Sequence, residues 1–385
     1  MVKLKFLRDV NSILIRSGLK FIQNLCCTVP IKRKKILFIN FGGSGFGDNP
    51  KYICLETLQQ NLDLDRVWAV NSLYLELPKE VRPVKYRTVQ YYYELLTAHI
   101  IVINTTNPFP KFFKKKSTQI IIQTWHGSHG FKYIERQADE MLPASYVEKS
   151  KNTTKMTDVF ISDGPDNTQM YRESFHCTCD ILETGMPRED ILFSRDTSYF
   201  FQIKKKIGVE LNKSILLYAP TFRVSNDKEI YNINFSSIIK SLKKRFNNDW
   251  IVLVRFHPNE RDIPVYSDDI INVSRYGDIQ ELIAVSDALI TDYSSIYHDF
   301  FLMNKPVFLY TKDLDRYIQT NRHLKPMFFD MPWNRNETEQ DLNQEILHFD
   351  GVKYKNMVNE YKKRLGLIAD GKASYRVVDY IKKHL

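Results

Sequence analysis

The chain reads as an α/β protein of two domains, each built on a parallel sheet, and three observations lead there. Short apolar, β-prone runs recur at Ile36–Phe41, Val67–Val70, Ile100–Ile103, Ile120–Gln123, Asp158–Ser162, Ser214–Tyr218, Ile251–Arg255, Ala288–Thr291 and Pro306–Tyr310. Runs of that kind are what a sheet buried on both faces requires. Helical segments lie between them, which gives the βαβ rhythm of a parallel sheet. A length of 385 residues accommodates two cores of ordinary size.

Residues 1–30 are predicted to form an amphipathic helix. Leu4, Leu7, Val10, Leu14, Phe21, Ile22 and Leu25 recur at three- and four-residue steps or near multiples, with Gly18 interrupting and Pro30 ending the pattern. No uncharged apolar run there is long enough to span a bilayer. The compact apolar core and cleavage site of a secretory signal are also missing. The formal charge is +10, and residues 1–35 carry nine bases against Asp9, which puts +8 of it in that segment. This argues against a basic nucleic-acid surface spread over the fold. A basic helix followed by Lys32-Arg-Lys-Lys35 suits an anionic membrane surface, at about 1 kcal/mol per basic residue, which implies a peripheral location on the cytoplasmic face. Five scattered cysteines point to a reducing compartment and no disulfide framework.

The first α/β domain is predicted over residues 31–195. Its first strand runs into Gly42-Gly-Ser-Gly-Phe-Gly47, whose spacing is not that of a dinucleotide fingerprint. The loop is read instead as exposing backbone N–H groups to an anion or leaving room for an acceptor. Asp48-Asn-Pro50 caps a helix from Lys51 to Gln60. After the strand at Ile120–Gln123 comes Thr124-Trp-His126-Gly127-Ser-His129-Gly-Phe-Lys132. A histidine at the carboxyl end of a parallel strand, followed by glycines that clear space, stands where α/β sheets bind ligands and can accept a proton near neutral pH.

The second domain is predicted over residues 196–385, reached through the turn Thr184-Gly-Met-Pro-Arg-Glu-Asp190 and a linker helix at 194–206. Ser214–Tyr218 ends at Ala219-Pro-Thr221-Phe-Arg223, and the next strand ends at Arg255-Phe-His257-Pro258. Each delivers a basic residue to one sheet edge. The stretch 286–310 reads as strand, polar turn, helix, strand, with Asp292, Tyr293, Ser294 and Ser295 in the turn and Ile296, Phe300, Phe301 and Met303 at helical spacing. A helix starting at Ser294-Ser295 offers N–H groups and two hydroxyls to a phosphate. Together these residues are expected to clamp a pyrophosphate from several sides. No carboxylate cluster has metal-ligand spacing, so neither a metal nor a cofactor is expected, with Asp292 and Asp299 the residues that keep the question open. Residues 341–385 read as mostly helical, with the last helix expected to pack back across the domain junction.

Ile290-Thr-Asp-Tyr-Ser-Ser295, His298-Asp-Phe300 and Lys305-Pro-Val307 resemble the C-terminal signature of the CDP-glycerol glycerophosphotransferases, the teichoic-acid primases and polymerases and their capsule-synthesis relatives. Gly47-Asp-Asn-Pro50, Thr124-Trp-His-Gly127, Gly185-Met-Pro-Arg-Glu-Asp190, Tyr218-Ala-Pro-Thr-Phe-Arg223 and Arg255-Phe-His-Pro258 match further family motifs in the family's order. The likeness covers about residues 35–320. It implies a GT-B-like fold with two Rossmann-like domains facing a central cleft, the donor in the second and the acceptor in the first. It also implies a donor, CDP-glycerol or CDP-ribitol, and an acceptor hydroxyl on a lipid-linked saccharide or polyol-phosphate chain. His126 matches the family's general base, with Gly127 and Lys132 beside it as substrate contacts. Ser128-His129 stand where many members have Thr-Pro, which makes His129 the rival base. His257 is expected as the second catalytic residue, with Thr221, Arg223, Arg255, Asp292, Tyr293, Ser294, Ser295 and Asp299 on the donor. Two other readings stay open: a sugar-nucleotide glycosyltransferase on the same fold, and a membrane-bound polyanion-binding protein without catalysis.

Overall fold

The computed structural model describes residues 29–106, 108–110, 113–223, 228–257, 260, 267–321 and 323–385. The amphipathic helix expected within residues 1–30 therefore lies almost wholly outside the described residues.

The first sheet takes its strands from β1 (Lys32–Ile39), β2 (Asp65–Val70), β3 (Val81–Lys85), β4 (Ala98–Ile103), β5 (Ile120–Gln123), β6 (Val159–Ser162) and β7 (Asp180–Glu183). They pair in the order β3-β2-β1-β4-β5-β6-β7 and all run parallel. The chain reverses its direction of winding between β1 and β4, where Phe38 faces Val102 in register. The apolar runs of β1 and β4 end at Asn40 and Asn104, both buried. Pro83 sits in β3 at the sheet edge, the place that tolerates a residue without a backbone donor.

Helix α1 (Asp48–Gln59) covers one face of this sheet and α2 (Val89–Thr97) the other. Ile53 joins Ile36, Phe38, Trp68, Ile100 and Val102, while Tyr91 and Leu95 join Leu37, Ile39, Ala69 and Ile101. Helices α3 (Ala144–Met156) and α4 (Pro165–Phe175) flank β6, and α5 (Thr197–Lys206) opens the second half of the chain.

The second sheet is formed by β8 (Ser214–Tyr218), β9 (Trp250–Val254), β10 (Ile270–Asn272), β11 (Ala288–Thr291), β12 (Val307–Tyr310) and β13 (Arg335–Asn336), in the order β10-β9-β8-β11-β12-β13. It too is parallel, and its reversal falls between β8 and β11. The intervening helices are α6 (Phe235–Phe246), α7 (Ile279–Val285), α8 (Ile296–Phe301), α9 (Leu314–Thr320) and α10 (Met327–Asp330). Then come α11 (Glu339–Leu347), α12 (Gly351–Leu365) and α13 (Ala373–Lys383). Ile238 and Leu242 of α6 bury against Leu216, Val252 and Ile290, while α7, α8 and α12 cover the opposite face.

The last helix leaves this domain. Val377, Val378 and Ile381 of α13 sit in the first domain's core with Ile53 and Trp68. Gly366, at φ 63°, ends α12, and the chain then crosses back tightly. Ile368 donates to the Asp163 carbonyl at 2.6 Å, and Asp190 caps α13 by accepting from Ala373 and Ser374. Gly164 and Gly185 lie against this crossing with no room for a side chain. A Cβ on Gly185, at φ +83°, would meet the Ile368 carbonyl oxygen at 2.5 Å. Gly185→Ala is expected to cost at least about 2 kcal/mol in urea denaturation. Gly208→Ala, at φ +76° with nothing within 4 Å, isolates the dihedral contribution and should cost about 1 kcal/mol. Equal losses for the two would show that the crossing shifts without resistance.

Candidate active site

His126 follows β5 at the carboxyl edge of the first sheet. Its Nδ1 lies 2.6 Å from the Asn104 carbonyl. A carbonyl only accepts, so the proton sits on Nδ1 and a neutral imidazole keeps Nε2 as its acceptor nitrogen. Trp125, at φ 53°, and Phe41 flank the ring, with centroids 4.0 and 5.2 Å away. Asn104 also accepts from the Phe41 amide through Oδ1 at 2.9 Å and donates to Asn40 Oδ1 at 2.8 Å. Asn40 in turn donates to the Ser44 carbonyl at 2.7 Å. The His126 ring and the glycine-rich loop are thus one hydrogen-bonded unit. Gly43, at φ +91°, permits the loop's close approach to Tyr86 and Asn71.

The rest of the histidine motif leads into the second domain. Tyr171 donates to the Gly127 carbonyl, and Tyr297 to that of His129. Gly127 and Gly130 face Ser295, whose Oγ would lie 3.5 Å from a Cβ on Gly127. Phe131 is buried in the second domain's core and stacks on Tyr297 at 4.0 Å. Lys132 bridges to Leu324 in an antiparallel pair, with its ammonium over the Tyr317 ring. Burial and then the Lys132 charge hold the His257 imidazole below its usual range, with Glu260 opposing. This coupling puts Lys132 and His257 on one local field.

His129 occupies a different place from His126. It is buried at 2 % exposure, with Nε2 3.4 Å from Asp163 and Nδ1 3.1 Å from Asp166. Burial lowers its affinity for a proton, but the two carboxylates outweigh that and raise it to about 9. A covered imidazole held protonated is unsuited to taking a proton from a substrate.

The second sheet supplies Thr221 after β8 and Arg255 after β9. The Thr221 amide donates to Asp292, while its hydroxyl makes no hydrogen bond among the described residues. Arg255 donates to the Tyr276 carbonyl at 2.8 Å and, more weakly, to that of Val273. Burial pulls its guanidinium down to about 10, so it stays protonated at neutral pH as a desolvated cation that an anion would stabilise. Ser294 and Ser295 are half-buried at the start of α8. That helix has only six residues, and Ser294 Oγ accepts from the Ile296 amide at 3.4 Å.

Four residues expected on the donor are held within the fold. Arg223 is buried between Asp292 and Asp313, at 2.7 and 2.8 Å, beside the rings of Tyr293 and Tyr317, which stack on each other. Tyr293 is fully covered and donates to Asp313. Asp299 accepts from Arg188 and Gln280, each at 2.8 Å. Asp292 receives Arg223 together with the amides of Thr221 and Tyr293, so it shapes the turn from beneath. These four hold the strand-end loops in place. The remaining residues of the reading, His126, Gly127, Lys132, Thr221, Arg255, His257, Ser294 and Ser295, lie at the strand ends and the domain junction.

Asn40 and Asn104 were missed by sequence reasoning, although each is the polar residue that stops an apolar strand at the sheet's reversal point. Lys51 was missed as well. It is buried and paired with Asp278 and Glu281 across the junction at 2.7 and 2.6 Å.

Two doubly wound parallel sheets, with an imidazole at one reversal edge and basic and hydroxyl groups at the other, define the chain as an α/β protein whose polar groups gather at the strand ends. A family model described as CDP-glycerol:poly(glycerophosphate) glycerophosphotransferase matches residues 21–383, and the chain belongs to that family. It is 31% identical over 378 residues to a teichoic acid poly(glycerol phosphate) polymerase from Staphylococcus epidermidis, covering 92% of this chain and 51% of that protein. It therefore spans about half the length of that relative. A teichoic acid glycerol-phosphate transferase from Staphylococcus aureus is 32% identical over 298 residues, covering 73% of this chain and 75% of that one. Among solved structures, the wall teichoic acid polymerase TagF in a CDPG soak matches with a TM-score of 0.83 and 28% identity, over 98% of this chain and 96% of that one.

Arg223→Leu would strand Asp292 and Asp313 in the interior without a cation. The expected loss is about 3–5 kcal/mol in urea denaturation, with Arg223→Lys recovering only part because an ammonium cannot make the forked contact. A loss below about 1 kcal/mol would mean that the two carboxylates find other partners.

Proposed function

We propose that the protein transfers glycerol phosphate from CDP-glycerol to a hydroxyl of a lipid-linked saccharide or a growing polyol-phosphate chain, releasing CMP, in teichoic-acid-like or capsular polymer synthesis. The observation that carries this reading is the tautomer of His126, with Nδ1 committed to the Asn104 carbonyl and Nε2 therefore the ring's acceptor. Family membership supports the choice of donor.

In the proposed step the acceptor hydroxyl gives its proton to His126 Nε2, and its oxygen bonds to the phosphorus that carries glycerol. The bond from that phosphorus to the bridging oxygen breaks, and CMP leaves with the oxygen and its electron pair. Positioning and charge neutralisation supply most of the rate in such transfers. Arg255, Lys132, His257 and the Thr221, Ser294 and Ser295 hydroxyls are the groups proposed to hold the diphosphate, and no step is routed through a metal or cofactor.

The two sheets are taken to face each other across a cleft as in the GT-B arrangement, with the acceptor side on the first and the nucleotide side on the second. Among the described residues no helix is long and apolar enough to cross a membrane. The basic segment 1–35 is proposed to hold the protein peripherally on an anionic membrane surface, where lipid-linked acceptors reside.

CMP release from CDP-glycerol with a polyol-phosphate or lipid-linked acceptor tests the reading, with CDP-ribitol and a panel of UDP-sugars alongside. His126→Ala is expected to lower kcat by about 10²–10⁴, the range of a lost general base. UDP release from a sugar nucleotide with both CDP-alcohols inert would overturn the reading, and so would full activity in the variant.

His257 gives a pH signature. Its imidazole is depressed below the usual range in the unliganded protein and so is neutral at pH 7. An arriving diphosphate favours the protonated form, so donor binding should take up a proton and tighten as pH falls from about 8 to about 6. Calorimetry in buffers of different ionisation enthalpy reads that uptake, and His257→Ala should abolish the buffer dependence. Proton release on binding would contradict it.

A further inference from the structure

Below the strand ends, at the junction of the two domains, four titratable side chains meet with almost no contact with solvent. His129 follows β5, Asp163 follows β6, Glu189 lies in the segment that crosses between the sheets, and His298 is on α8. Their exposures are 2, 1, 2 and 0 %. His129 Nε2 is 3.4 Å from one Asp163 oxygen, and His298 Nε2 is 3.3 Å from the other and 4.0 Å from Glu189 Oε1. The two imidazoles lie nearly parallel, with ring centroids 4.7 Å apart.

Hydrogen bonding does not account for the cluster. His129 Nε2, both Asp163 oxygens, both His298 nitrogens and Glu189 Oε1 make no hydrogen bond among the described residues. Buried polar atoms of this kind ordinarily have partners, and several unpaired together point to a missing one. These separations are also those of ligands that share a cation, since two ligands about 2.0–2.1 Å from one tetrahedral ion lie about 3.3–3.4 Å apart. One ligand atom from each of His129, Asp163 and His298 falls within 4.8 Å of the other two.

The surroundings carry the same sign. His129 Nδ1 is 3.1 Å from Asp166, the arrangement in which a carboxylate orients a metal-bound imidazole through its other nitrogen. A divalent ion there would give the buried Asp163 carboxylate a cationic partner, which its location demands.

We propose that His129, Asp163 and His298, with Glu189 beside them, form a buried site for one divalent transition-metal ion that fastens the first domain to the second. Imidazole with carboxylate suits Zn2+, and the same donors accept Fe2+. The ion is structural, and its site is independent of what the strand ends transfer. His129 and His298 stand 169 positions apart and show no ligand spacing in the sequence, which is why no metal is expected from it.

The test uses the full chain, purified without chelators and also stripped with EDTA, then incubated with Zn2+ and desalted. Elemental analysis is expected to find about one equivalent of transition metal per chain. Stripping should lower Tm by about 5 °C, recovered by Zn2+ in hundredfold excess over its Kd. His298→Gln and His129→Gln should each lose the equivalent and the Zn2+ response while keeping a folded circular-dichroism spectrum, and His348→Gln, at an exposed position, should keep both. Absorption of the Co2+-loaded chain reports whether the donors are tetrahedral. Less than about 0.2 equivalent in the wild type would overturn the proposal, as would an equivalent that persists in both cluster variants. These readouts do not depend on donor turnover, so failure of the metal site and failure of the transferase reading are distinguishable.

Discussion

Arg188 is the residue on which the arrangement of both domains rests. It is buried at 4 % exposure in the crossing segment, with one guanidinium nitrogen 2.8 Å from Asp299 on α8 and another 3.8 Å from Asp48 at the start of α1. Its amide donates to Asn49 Oδ1 at 3.0 Å, and Asn49 Nδ2 donates to the Trp125 carbonyl, next to His126, at 3.1 Å. Asp299 lies on the short helix that opens just after Ser295. One residue therefore connects, by its amide through Asn49, to the loop of the imidazole on one sheet and, by its guanidinium, to the helix after the serine turn on the other. Burial raises the Asp48 carboxyl to about 6 although the Arg188 cation pulls it down, so the pair is costly and worthwhile only in this geometry. Such an interaction adds little net stability compared with an apolar contact, but moving either partner leaves a charge uncompensated in the interior.

Two further contacts act in the same direction. Lys51 on α1 reaches Asp278 and Glu281, and the hydroxyls of Tyr52, Tyr199 and Tyr276 donate to the same carboxylates. Phe131, from the loop that follows His126, stacks inside the second domain's core. A wide hinge opening would have to withdraw that ring and expose an ammonium with both its carboxylates. Small movements of the strand-end loops are the cheaper route for exchanging substrates. His126 is on one domain while the loop that carries it is anchored in the other, so its distance from the second sheet is fixed by packing.

The two-sheet architecture was legible because its cause is local. Runs such as Ile100–Ile103 of β4 and Ile215–Leu217 of β8 are apolar throughout, and only a strand covered on both faces tolerates that. Edge strands β3 and β7 carry charge and proline, Val81-Arg-Pro-Val-Lys85 and Asp180-Ile-Leu-Glu183, so their composition resembles that of loops. The site was legible to the extent that strand ends are. His126, Thr221, Arg255 and His257 each follow an apolar run closely. Which of the bases is paired with carboxylates inside the fold was not legible. Arg223 and Arg255 look alike in sequence, yet Arg223 is consumed by Asp313, 90 positions away, while Arg255 donates to carbonyl oxygens. Long-range pairing decides, and nothing in the local spacing records it.

Sheet order explains why the ligand-facing groups gather where they do. In each sheet the chain winds outward in one direction from its first strand and then in the other, so the loops after the two central strands diverge and leave a crevice between them. In the first sheet those loops begin at Asn40 and Asn104, and their side chains bind each other across the crevice and orient His126. In the second they are Thr221–Arg223 and Asp292–Ser295, joined by Asp292. Each crevice is therefore bridged by buried polar contacts that hold its two loops together. Above these bridges, the first sheet presents an acceptor nitrogen and the second a desolvated guanidinium and a hydroxyl. The proposed phosphoryl transfer would divide its work along the same line, with the proton acceptor on one sheet and the anion holder on the other.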